Sequence, residues 1–457
     1  MKVLLISPNV ETLPDPVFPL GLAYIAAALN KNQNDYHLLD LCFVQDYEAS
    51  IKSAIDSFQP DVIALSFRNV DNVSYPNYVS YLPFYRQVVQ AVRKQSRVPI
   101  VVGGSGFSLM PDEILRYLNA DFGIAGEGEV SFVELINKLD RKDYIQDSPK
   151  PAIVDNQHRI TEDLDHFSIP DRSGFDNEAY LKWGGMGNVQ TKRGCPFRCI
   201  YCSYPIIEGK QVRLRDPELI CDEIETMLDQ NITNLFFVDN AFNYPMDHAR
   251  SICQGIVSRK LGMKWSCYAN PKYVTAALIE RMLAAGCTGV EFGSDAANGT
   301  MLENLSKDFS VDDLRNASTI CQQSGMSFCH SLLLGGPGET METVHQTFDT
   351  ILDTSPTAVI CMIGIRIFPN TRLSAIATEE GIVGADTDFL KPVFYLSPAI
   401  ENDILTFIEE FSKKNPTWIF PGLNINMNVE LQKKLRRFGV KGPLWEYMKT
   451  GERFKNR

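Results

Sequence analysis

The first 140 residues alternate short, β-branched apolar runs with longer amphipathic stretches. This is the pattern of a parallel sheet with crossover helices. The runs predict strands at 2–7, 36–41, 61–67, 98–103 and 121–125, and helices at 20–31, 47–58, 83–95, 109–119 and after Gly128. We therefore expect a doubly wound, Rossmann-like α/β domain over residues 1–140.

The same alternation resumes after a polar interval, 141–185, whose prolines at 149, 151 and 170 predict a linker. Strands are predicted near 187–192, 233–238, 264–269, 288–293, 326–334 and 358–367, with helices near 217–229, 246–258, 274–285, 310–324, 339–353 and 371–380. Six β/α units over residues 186–384 predict a partial TIM-like barrel, which places its chemistry at the carboxyl ends of the strands. Residues 385–457 predict a small, mostly helical C-terminal cap domain.

Composition narrows the class of protein without changing this picture. The 457 residues are 44% hydrophobic and 22% charged, as in ordinary globular proteins. No apolar run is long enough to cross a membrane, and the apolar start ends at Ser7 and Pro8, so we expect a cytoplasmic protein that is not transmembrane. The net charge of −12 argues against bulk nucleic acid as a partner. The segment from Lys413 to Arg457 is basic, with eleven Lys and Arg against three Glu, and is either a solvated tail or a docking face.

Three cysteines form the most specific motif, Cys195-x3-Cys199-x2-Cys202. With eleven cysteines in the chain, the chance expectation for this spacing is about 0.6%. A structural zinc site is the alternative, but it needs four ligands, and the next cysteine, Cys221, lies within a predicted helix. Three thiolates on a 4Fe-4S cluster leave one iron open for a substrate.

The motif and its surroundings resemble the radical S-adenosylmethionine enzymes. An aromatic residue, Tyr201, precedes the last cysteine, and FFVDNAF (236–242), GVEFGSD (289–295) and SLLLGGPGET (331–340) match the family's later strand-end motifs. The resemblance implies that Cys195, Cys199 and Cys202 hold a 4Fe-4S cluster. In the family, this cluster cleaves S-adenosylmethionine to a 5′-deoxyadenosyl radical.

The same resemblance implies a set of residues around S-adenosylmethionine. The backbone at Tyr201 would meet the adenine, and Asp239 would take the methionine amino group. The remaining implied contacts are Glu291 with Ser294 near the ribose, Gly335 and Gly336 against the adenosine, and Arg366 with a carboxylate. Asp239 and Glu291 also fit solvated strand ends or helix caps, and GGPGET also fits a turn before a helix. Asn240 departs from the family pattern and leaves the amino-group ligand open.

The amino-terminal half resembles the cobalamin-binding domains that precede many of these barrels. No GxGxxG follows the first strand, so a nicotinamide site is not indicated. The matching pieces are the PLGLAYIAAAL helix, Ser66, a glycine pair and GEGE at 126–129. The cofactor-binding residues expected here are Asn9, Ser66, Arg68, Asn69, Gly103, Gly104, Gly126 and Glu127. The DxHxxG motif of other cobalamin proteins is missing, because His37 sits at the wrong place.

Arg68, directly after the third predicted strand, is the expected occupant of the lower face of the corrinoid. A fixed cation has no lone pair to donate to cobalt, so it would favour a low-coordinate metal able to accept a methyl group. The alternative is an ordinary salt bridge between Arg68 and Asp71. Arg68 and Tyr201 are the residues expected to act directly in catalysis.

These observations predict a cobalamin-dependent radical S-adenosylmethionine methyltransferase, similar to the tryptophan C-methyltransferase type, that methylates an unactivated carbon or, less often, phosphorus. One S-adenosylmethionine would methylate cobalamin and a second would generate the substrate radical. A rearranging or cyclising enzyme with the same cofactors, and a non-catalytic cluster- or corrinoid-carrying module, remain alternatives. The expected partners are a small-molecule, lipid or peptide substrate and an electron donor such as flavodoxin or ferredoxin.

Overall fold

The computed structural model describes residues 1–141, 152–155 and 160–448, and two parallel sheets organise them. The strands are β1 (Lys2–Ser7), β2 (Asp35–Asp40), β3 (Val62–Ser66), β4 (Ile100–Gly103), β5 (Phe122–Ala125), β6 (Ala152–Asp155), β7 (Gly187–Val189), β8 (Lys192–Arg193), β9 (Arg213–Leu214), β10 (Asn234–Phe237), β11 (Lys264–Ala269), β12 (Cys287–Asp295), β13 (Ser327–Leu334), β14 (Ala358–Ile363), β15 (Ile365–Arg366), β16 (Phe394–Tyr395) and β17 (Trp418–Ile419). The helices are α1 (Leu20–Lys31), α2 (Tyr47–Phe58), α3 (Leu82–Gln95), α4 (Pro111–Leu118), α5 (Glu129–Asp140), α6 (Asn177–Trp183), α7 (Tyr204–Ile207), α8 (Pro217–Asp229), α9 (Met246–Ser258), α10 (Ala276–Ala284), α11 (Gly299–Asn304), α12 (Val311–Ser324), α13 (Met341–Asp353), α14 (Arg372–Glu379), α15 (Ile404–Ser412) and α16 (Val429–Arg437). Short 3-10 helices cover Phe107–Leu109, Leu164–His166, Pro271–Tyr273, Pro421–Leu423 and Leu444–Tyr447.

The first sheet has the strand order β2-β1-β3-β4-β5-β6, with every neighbouring pair parallel. Its strands are apolar on both faces because helices cover both, as in a doubly wound fold. The chain order reverses at β1, which lies between β2 and β3. A ligand crevice is therefore expected beyond the carboxyl ends of β1 and β3.

The interval predicted as a linker contains regular structure that the sequence pattern did not reveal. Residues 152–155 form β6, which pairs with β5 at the edge of the first sheet, and 177–183 form α6. The short run Ala-Ile-Val lies between polar residues and carries too little periodicity to predict a strand, but β5 offers it an open edge. Residues 142–151 and 156–159 of the predicted linker lie outside the described residues.

The second sheet runs β17-β14-β13-β12-β11-β10-β7, again parallel throughout. The six predicted barrel strands are present, although two are divided. β7 ends at Val189, and Lys192–Arg193 instead pairs antiparallel with Arg213–Leu214. The run predicted at 358–367 is interrupted by Gly364, which has a φ of +66°.

The carboxyl-terminal region completes the barrel, where the sequence pattern had predicted a separate cap. β17 extends the barrel sheet by pairing with β14, and the buried rings of Trp418 and Phe420 join the barrel core. At the amino-terminal end of the barrel, the Glu446 carboxylate accepts hydrogen bonds from Ser266 (2.7 Å) and Thr288 (3.2 Å). The apolar side chains of this region lie against the open edge and lower end of the barrel, which explains the difference.

Part of the basic segment also packs against the rest of the chain. Arg436 of α16 is buried and pairs with Asp15, with nitrogen–oxygen distances of 2.9 and 2.7 Å. This arginine therefore acts as an internal contact. Residues 449–457, the end of the predicted cap and tail, lie outside the described residues. Within the described part of the chain, no helix is both long and apolar enough to span a bilayer.

The loop after β3 joins the two sheets at their carboxyl ends. Asp71 forms a buried ion pair with Arg366 of β15, with a distance of 2.9 Å. Farther along the loop, Asn77 donates a hydrogen bond to the Gly422 carbonyl at 2.9 Å, and the ring of Tyr75 lies 5.5 Å from that of Phe394. The carboxyl edge of the first sheet thus faces the top of the barrel.

Candidate active site

The three motif cysteines lie together on the loop that follows the first barrel strand and connects β8 to β9. The Cys195 amide donates to the Gly209 carbonyl at 3.1 Å, and the Cys202 amide donates to Cys199 at 3.2 Å. Burial raises the pKa of Cys195 to about 11 and that of Cys202 to about 12, and the neighbouring motif cysteines add to both shifts. Deprotonation of these thiols therefore depends on metal binding. No three His, Cys, Asp or Glu side chains of the described chain lie close enough to hold a single metal ion.

A charged group beside the cysteines was missed by the sequence analysis. Lys307 pairs with Asp295 at 2.6 Å, and both side chains are buried. The Tyr201 hydroxyl also donates to Asp295. The Lys307 ammonium acts on the Cys199 thiol, where it opposes the increase in pKa caused by burial. Lys307 thus supplies one fixed positive charge next to a cluster that carries three thiolates.

The two residues expected near the ribose, toward the end of β12, differ in burial. Glu291 is partly exposed and accepts a hydrogen bond from Ser331 at 2.5 Å. Ser294 is fully buried and bonds His330 at 2.8 Å. The register of β12 is irregular between Gly293 and Asp295, so simple alternation does not describe its end. Its burial and its contact with His330 make Ser294 a core residue, which does not support its expected role at the ribose.

Asp239 lies at the end of β10, but its carboxylate has internal partners on both oxygens. Oδ1 accepts from the Thr191 amide at 2.7 Å, and Oδ2 accepts from the Thr191 hydroxyl at 2.5 Å. The Lys192 ammonium is 3.7 Å away. With 2% of its surface exposed, Asp239 ties the segment before the cysteine loop to β10. These contacts do not support its expected role as the ligand of the methionine amino group.

The glycine pair after β13 forms a tight turn that an internal carboxylate holds. The amides of Gly335 and Gly336 both donate to Glu339 Oε2, the second at 3.1 Å. Gly335 has a φ of +96°, and a Cβ there would lie 2.5 Å from Leu396. Burial raises the pKa of Glu339 to about 7. The two glycines thus let the chain pack closely against itself, and their approach to adenosine stays a prediction.

Arg366 has internal partners, which do not support its expected role as a cofactor ligand. Its Nε pairs with Asp71, its Nη1 donates to the Ile367 carbonyl at 2.6 Å and its Nη2 donates to the Phe389 carbonyl at 2.9 Å. The carboxylate that it was expected to meet is therefore an internal one, contributed by the first domain. Sequence separation hides this pairing, because the two residues lie 295 positions apart.

The crevice at the carboxyl edge of the first sheet is built from closely packed loops. Gly104, with a φ of +97°, lies so near the β3 end that a Cβ there would be 2.5 Å from the Phe67 carbonyl oxygen and 2.9 Å from the Ser66 hydroxyl. A Cβ on Gly103 would lie 3.3 Å from the Ile124 carbonyl oxygen. The Gly126 amide donates at 2.9 Å to Ser108. Gly104 therefore allows the turn after β4 to pack directly against the end of β3.

Two buried donors at this crevice have no partner among the described residues. They are Asn9 Nδ2 on the loop after β1 and Arg68 Nε on the loop after β3. Both loops flank the point where the strand order reverses. Unpaired buried donors are costly, so a pair of them at one crevice indicates a polar ligand.

Arg68 does not form the salt bridge with Asp71 that was its alternative role, because Asp71 pairs with Arg366. In the orientation of the Asn69 amide that pairs both of its polar atoms, the amide nitrogen donates to the Arg68 carbonyl at 3.0 Å. The amide oxygen accepts from Arg68 Nη2 at 3.1 Å. His37 lies in the middle of β2, opposite Leu4 and 5.6 Å from the ring of Phe58. His37 therefore lies within the sheet, away from its carboxyl edge, and the expected role of Arg68 at the lower face of the corrinoid stays a prediction.

Glu127 was expected to bind a cofactor, but the structure gives it internal partners. Its Oε1 lies 2.7 Å from Arg213 Nη2 and 3.4 Å from Arg193 Nη1, and its Oε2 accepts a hydrogen bond from the Thr161 amide at 3.1 Å. The neighbouring arginines hold the pKa of Glu127 below its ordinary value although burial acts in the opposite direction. This contact corrects the expected role of Glu127.

Tyr204 and Tyr268 lie within electrostatic range of Arg68 in the crevice. They keep 45% and 40% of their surface exposed. Burial raises the pKa of Tyr204 and the nearby Glu291 carboxylate raises that of Tyr268, while the Arg68 cation opposes both shifts. Groups from the first sheet, the cysteine loop and the barrel strands therefore lie close to one another at the top of the barrel.

The residues present fit the three expected cofactors. Three neighbouring thiols with an adjacent ammonium suit an iron–sulfur cluster with one open iron. The tightly turned glycine loop and the two unpaired donors, with no imidazole at the crevice among the described residues, suit a corrinoid without a lower ligand from the protein. The partly exposed Glu291 offers a carboxylate to S-adenosylmethionine from the barrel interior.

Comparison with known proteins supports the same division of the chain. The B12 binding domain family matches residues 6–136, and the Radical SAM superfamily matches residues 189–351. The tryptophan 2-C-methyltransferase of Streptomyces laurentii is 25% identical over 448 residues, covering 83% of this chain and 74% of the relative. The anaerobic magnesium-protoporphyrin IX monomethyl ester cyclase of Rubrivivax gelatinosus is 24% identical over 383 residues, covering 78% and 66%.

A solved structure shares the whole fold. It is that of a radical S-adenosylmethionine methyltransferase from Kitasatospora setae, with tryptophan and an S-adenosylmethionine analogue bound. It matches with a TM-score of 0.88 at 22% identity and covers 100% of both chains. This likeness confirms the predicted fold class. Together with the two domain matches, the relatives confirm the expected cluster, S-adenosylmethionine and cobalamin, and the prediction of a methyltransferase-type enzyme.

Proposed function

This chain belongs to the cobalamin-binding radical S-adenosylmethionine enzymes, and we propose that it methylates an unactivated carbon of a small organic substrate. The observation that carries this proposal is that the crevice adjoins the top of the barrel, where Asp71 on the loop after β3 forms a buried ion pair with Arg366 at 2.9 Å. Arg68 of the first domain, Tyr204 of the cysteine loop, and Tyr268 with Glu291 of the barrel act on one another there. When bound, the three cofactors supply a transferable methyl group and a carbon-centred radical.

The residues of the chain contribute position, charge and exclusion of water. Arg68 presents a guanidinium with no lone pair to the crevice, so the lower face of a corrinoid would receive no ligand from it. Lys307 partly balances the charge of the thiolates, and Tyr201 is fixed by Asp295. The loop after β3, tied to the barrel through Asp71, closes one side of the site and limits access of water to reactive species.

The substrate class is proposed as a small molecule. The tryptophan 2-C-methyltransferase relative supports it, as do the partly exposed tyrosines at 204 and 268. We further propose a cytoplasmic enzyme whose cluster receives electrons from a flavodoxin or ferredoxin. A lipid or peptide substrate is an alternative outcome of the test below.

The test begins with protein purified without oxygen. We expect about four irons and one corrinoid per chain, from iron assay and visible spectrum. Incubation with methyl-labelled S-adenosylmethionine and panels of small molecules, lipids and peptides should then give S-adenosylhomocysteine, 5′-deoxyadenosine and label in the product. Formation of 5′-deoxyadenosine without S-adenosylhomocysteine would instead indicate the cyclising alternative, which the cyclase relative exemplifies. Colourless protein with one zinc would refute the proposal.

Cysteine variants separate the cluster from the fold. Cys195→Ala should lose iron and all product formation. The matched control is Cys221→Ala, since Cys221 is equally buried but lies in α8 outside the motif. The control should keep both iron and product. Iron retained in Cys195→Ala would show that the cluster ligands have been assigned incorrectly.

A further inference from the structure

Two glutamates of the first domain meet two arginines that flank the cysteine loop. Glu129 Oε1 lies 2.5 Å from Arg193 Nη2, and Glu127 Oε1 lies 2.7 Å from Arg213 Nη2 and 3.4 Å from Arg193 Nη1. All four side chains keep less than a tenth of their surface exposed. We call Glu127, Glu129, Arg193 and Arg213 the interdomain clamp.

On one side, the clamp continues into the corrinoid crevice. Glu127 and Glu129 follow Gly126, whose amide donates to the Ser108 hydroxyl at 2.9 Å. That hydroxyl donates in turn to the Gly104 carbonyl at 2.9 Å. Gly104 belongs to the closely packed turn of the crevice. A displacement of the glutamates would therefore be transmitted to that turn.

On the other side, the clamp continues into the cysteine loop. Arg193 is separated from Cys195 by one residue, Gly194, where a Cβ would lie 2.0 Å from the Gln211 carbonyl oxygen. Arg193 Nε also donates to Gln190 at 3.0 Å. Gln190 donates to Glu208, which accepts from the Gly194 amide at 3.2 Å. This close packing leaves little freedom between the arginine and the first cluster ligand.

The chemistry of the clamp favours a positioning role over simple adhesion. Arginine presents its donors in a rigid fork, so its ion pairs set direction as well as distance. The Arg193 guanidinium also lies 5.1 Å from each of the rings of Tyr24 and Phe167, which face it from the first domain and the connecting segment. An apolar interface would hold the domains together without defining one orientation.

We propose that the interdomain clamp sets the separation and orientation of the corrinoid and the cluster, with Glu129 and Arg193 as positioning residues. The proposal rests on the proposed function, which places both cofactors at one site. Reactions between bound groups depend steeply on geometry, and a shift of about 1 Å can lower the rate by about a hundredfold.

Two variants test the clamp. Glu129→Gln removes its charge, and Arg193→Lys keeps the charge but loses the fork. The control is Asp121→Asn, which breaks the ion pair between Asp121 and Arg93 within the first domain, at the amino-terminal edge of the sheet. Iron and corrinoid are counted in each protein. The microwave power that half-saturates the cob(II)alamin EPR signal is then measured with the cluster reduced, because it reports the distance between the two paramagnets.

We expect both variants to bind both cofactors, with a changed half-saturation power, a kcat for methylation lowered roughly 10- to 100-fold and little change in KM. The control should match the wild type. If the half-saturation power and kcat are unchanged in both variants, the proposed positioning role of the clamp is refuted. Loss of a cofactor or of the fold in both variants, with an intact control, would also overturn it, because the residues would then serve assembly. A wild-type protein without corrinoid would overturn the proposed function and the clamp with it.

Discussion

Replacing Gly104 by alanine should separate corrinoid binding from cluster binding. The residue has a φ of +97°, a conformation that costs a side-chain-bearing residue about 1–2 kcal/mol. The new Cβ would also lie 2.5 Å from the Phe67 carbonyl oxygen and 2.8 Å from its nitrogen. Because both contacts are with backbone, no side chain can move aside, and overpacking of this kind adds about 1–3 kcal/mol.

The sum, about 2–5 kcal/mol, is smaller than the stability of a typical domain, so the protein should still fold. The strain can be relieved by moving the turn away from β3, but corrinoid binding requires the original position. At about 1.4 kcal/mol per factor of ten, affinity should fall by roughly 30-fold to several thousand-fold.

The assay is a titration of corrinoid-free protein with cobalamin, followed by visible spectroscopy, with iron counted in the same samples. The matched control is Gly21→Ala, at the start of α1, where a new Cβ would meet nothing within 4 Å. Both variants should keep wild-type iron, and only Gly104→Ala should lose corrinoid. Binding by Gly104→Ala within about threefold of the wild type would refute this account of the crevice.

Three further predictions concern buried charge. Since burial raises the Glu339 pKa from 4.5 to about 7, the wild-type protein should lose up to about 3 kcal/mol as pH rises from 4.5 to 7, and Glu339→Gln should not. Burial lowers the His330 pKa from 6.5 to about 3, so stability should fall by about 1.4 kcal/mol per pH unit below 6.5, and His330→Gln should remove this slope. Thermal unfolding measured across pH tests the predictions for Glu339 and His330. If stability changes with pH in the same way in the wild type and in a variant, the prediction for that residue is contradicted. Lys307→Gln removes the cation beside Cys199 and should lower the cluster reduction potential by on the order of 100 mV in an EPR redox titration, and an unchanged potential would contradict its role.

Much of the regular structure was predictable because local patterns control it. The helices at 20–31, 47–58, 217–229 and 246–258 begin and end where the sequence pattern predicts. Capping residues explain some of these limits, since Asp46 accepts from the Ala49 amide and Asp216 from that of Glu218. Where local signals were weak, the prediction failed, as for β6 and β17, which form because neighbouring strands offer open edges.

The features of the candidate site also differ in whether local sequence signals mark them. The cysteine motif and the glycine turn at 103–104 were found from sequence because close spacing and a special residue type mark them. The partners of the charged residues could not be found from sequence, because the members of each pair meet only after folding. The pairs are Arg366 with Asp71, Glu129 with Arg193, and Asp295 with Lys307. Ser294 was expected near the ribose, but the structure buries it against His330.

The sequence by itself determined the two α/β units and the close grouping of the three motif cysteines, because each depends on residues close together in the chain. Only the tertiary structure decided which polar and charged groups have partners within the chain and which remain available to a ligand. Asp239, Glu127 and Arg366 are held by internal partners, whereas Arg68 and Asn9 keep unpaired donors at the crevice within the described chain. The physical reason is that a buried charge must find a partner, and residues distant in sequence supply most of the partners here.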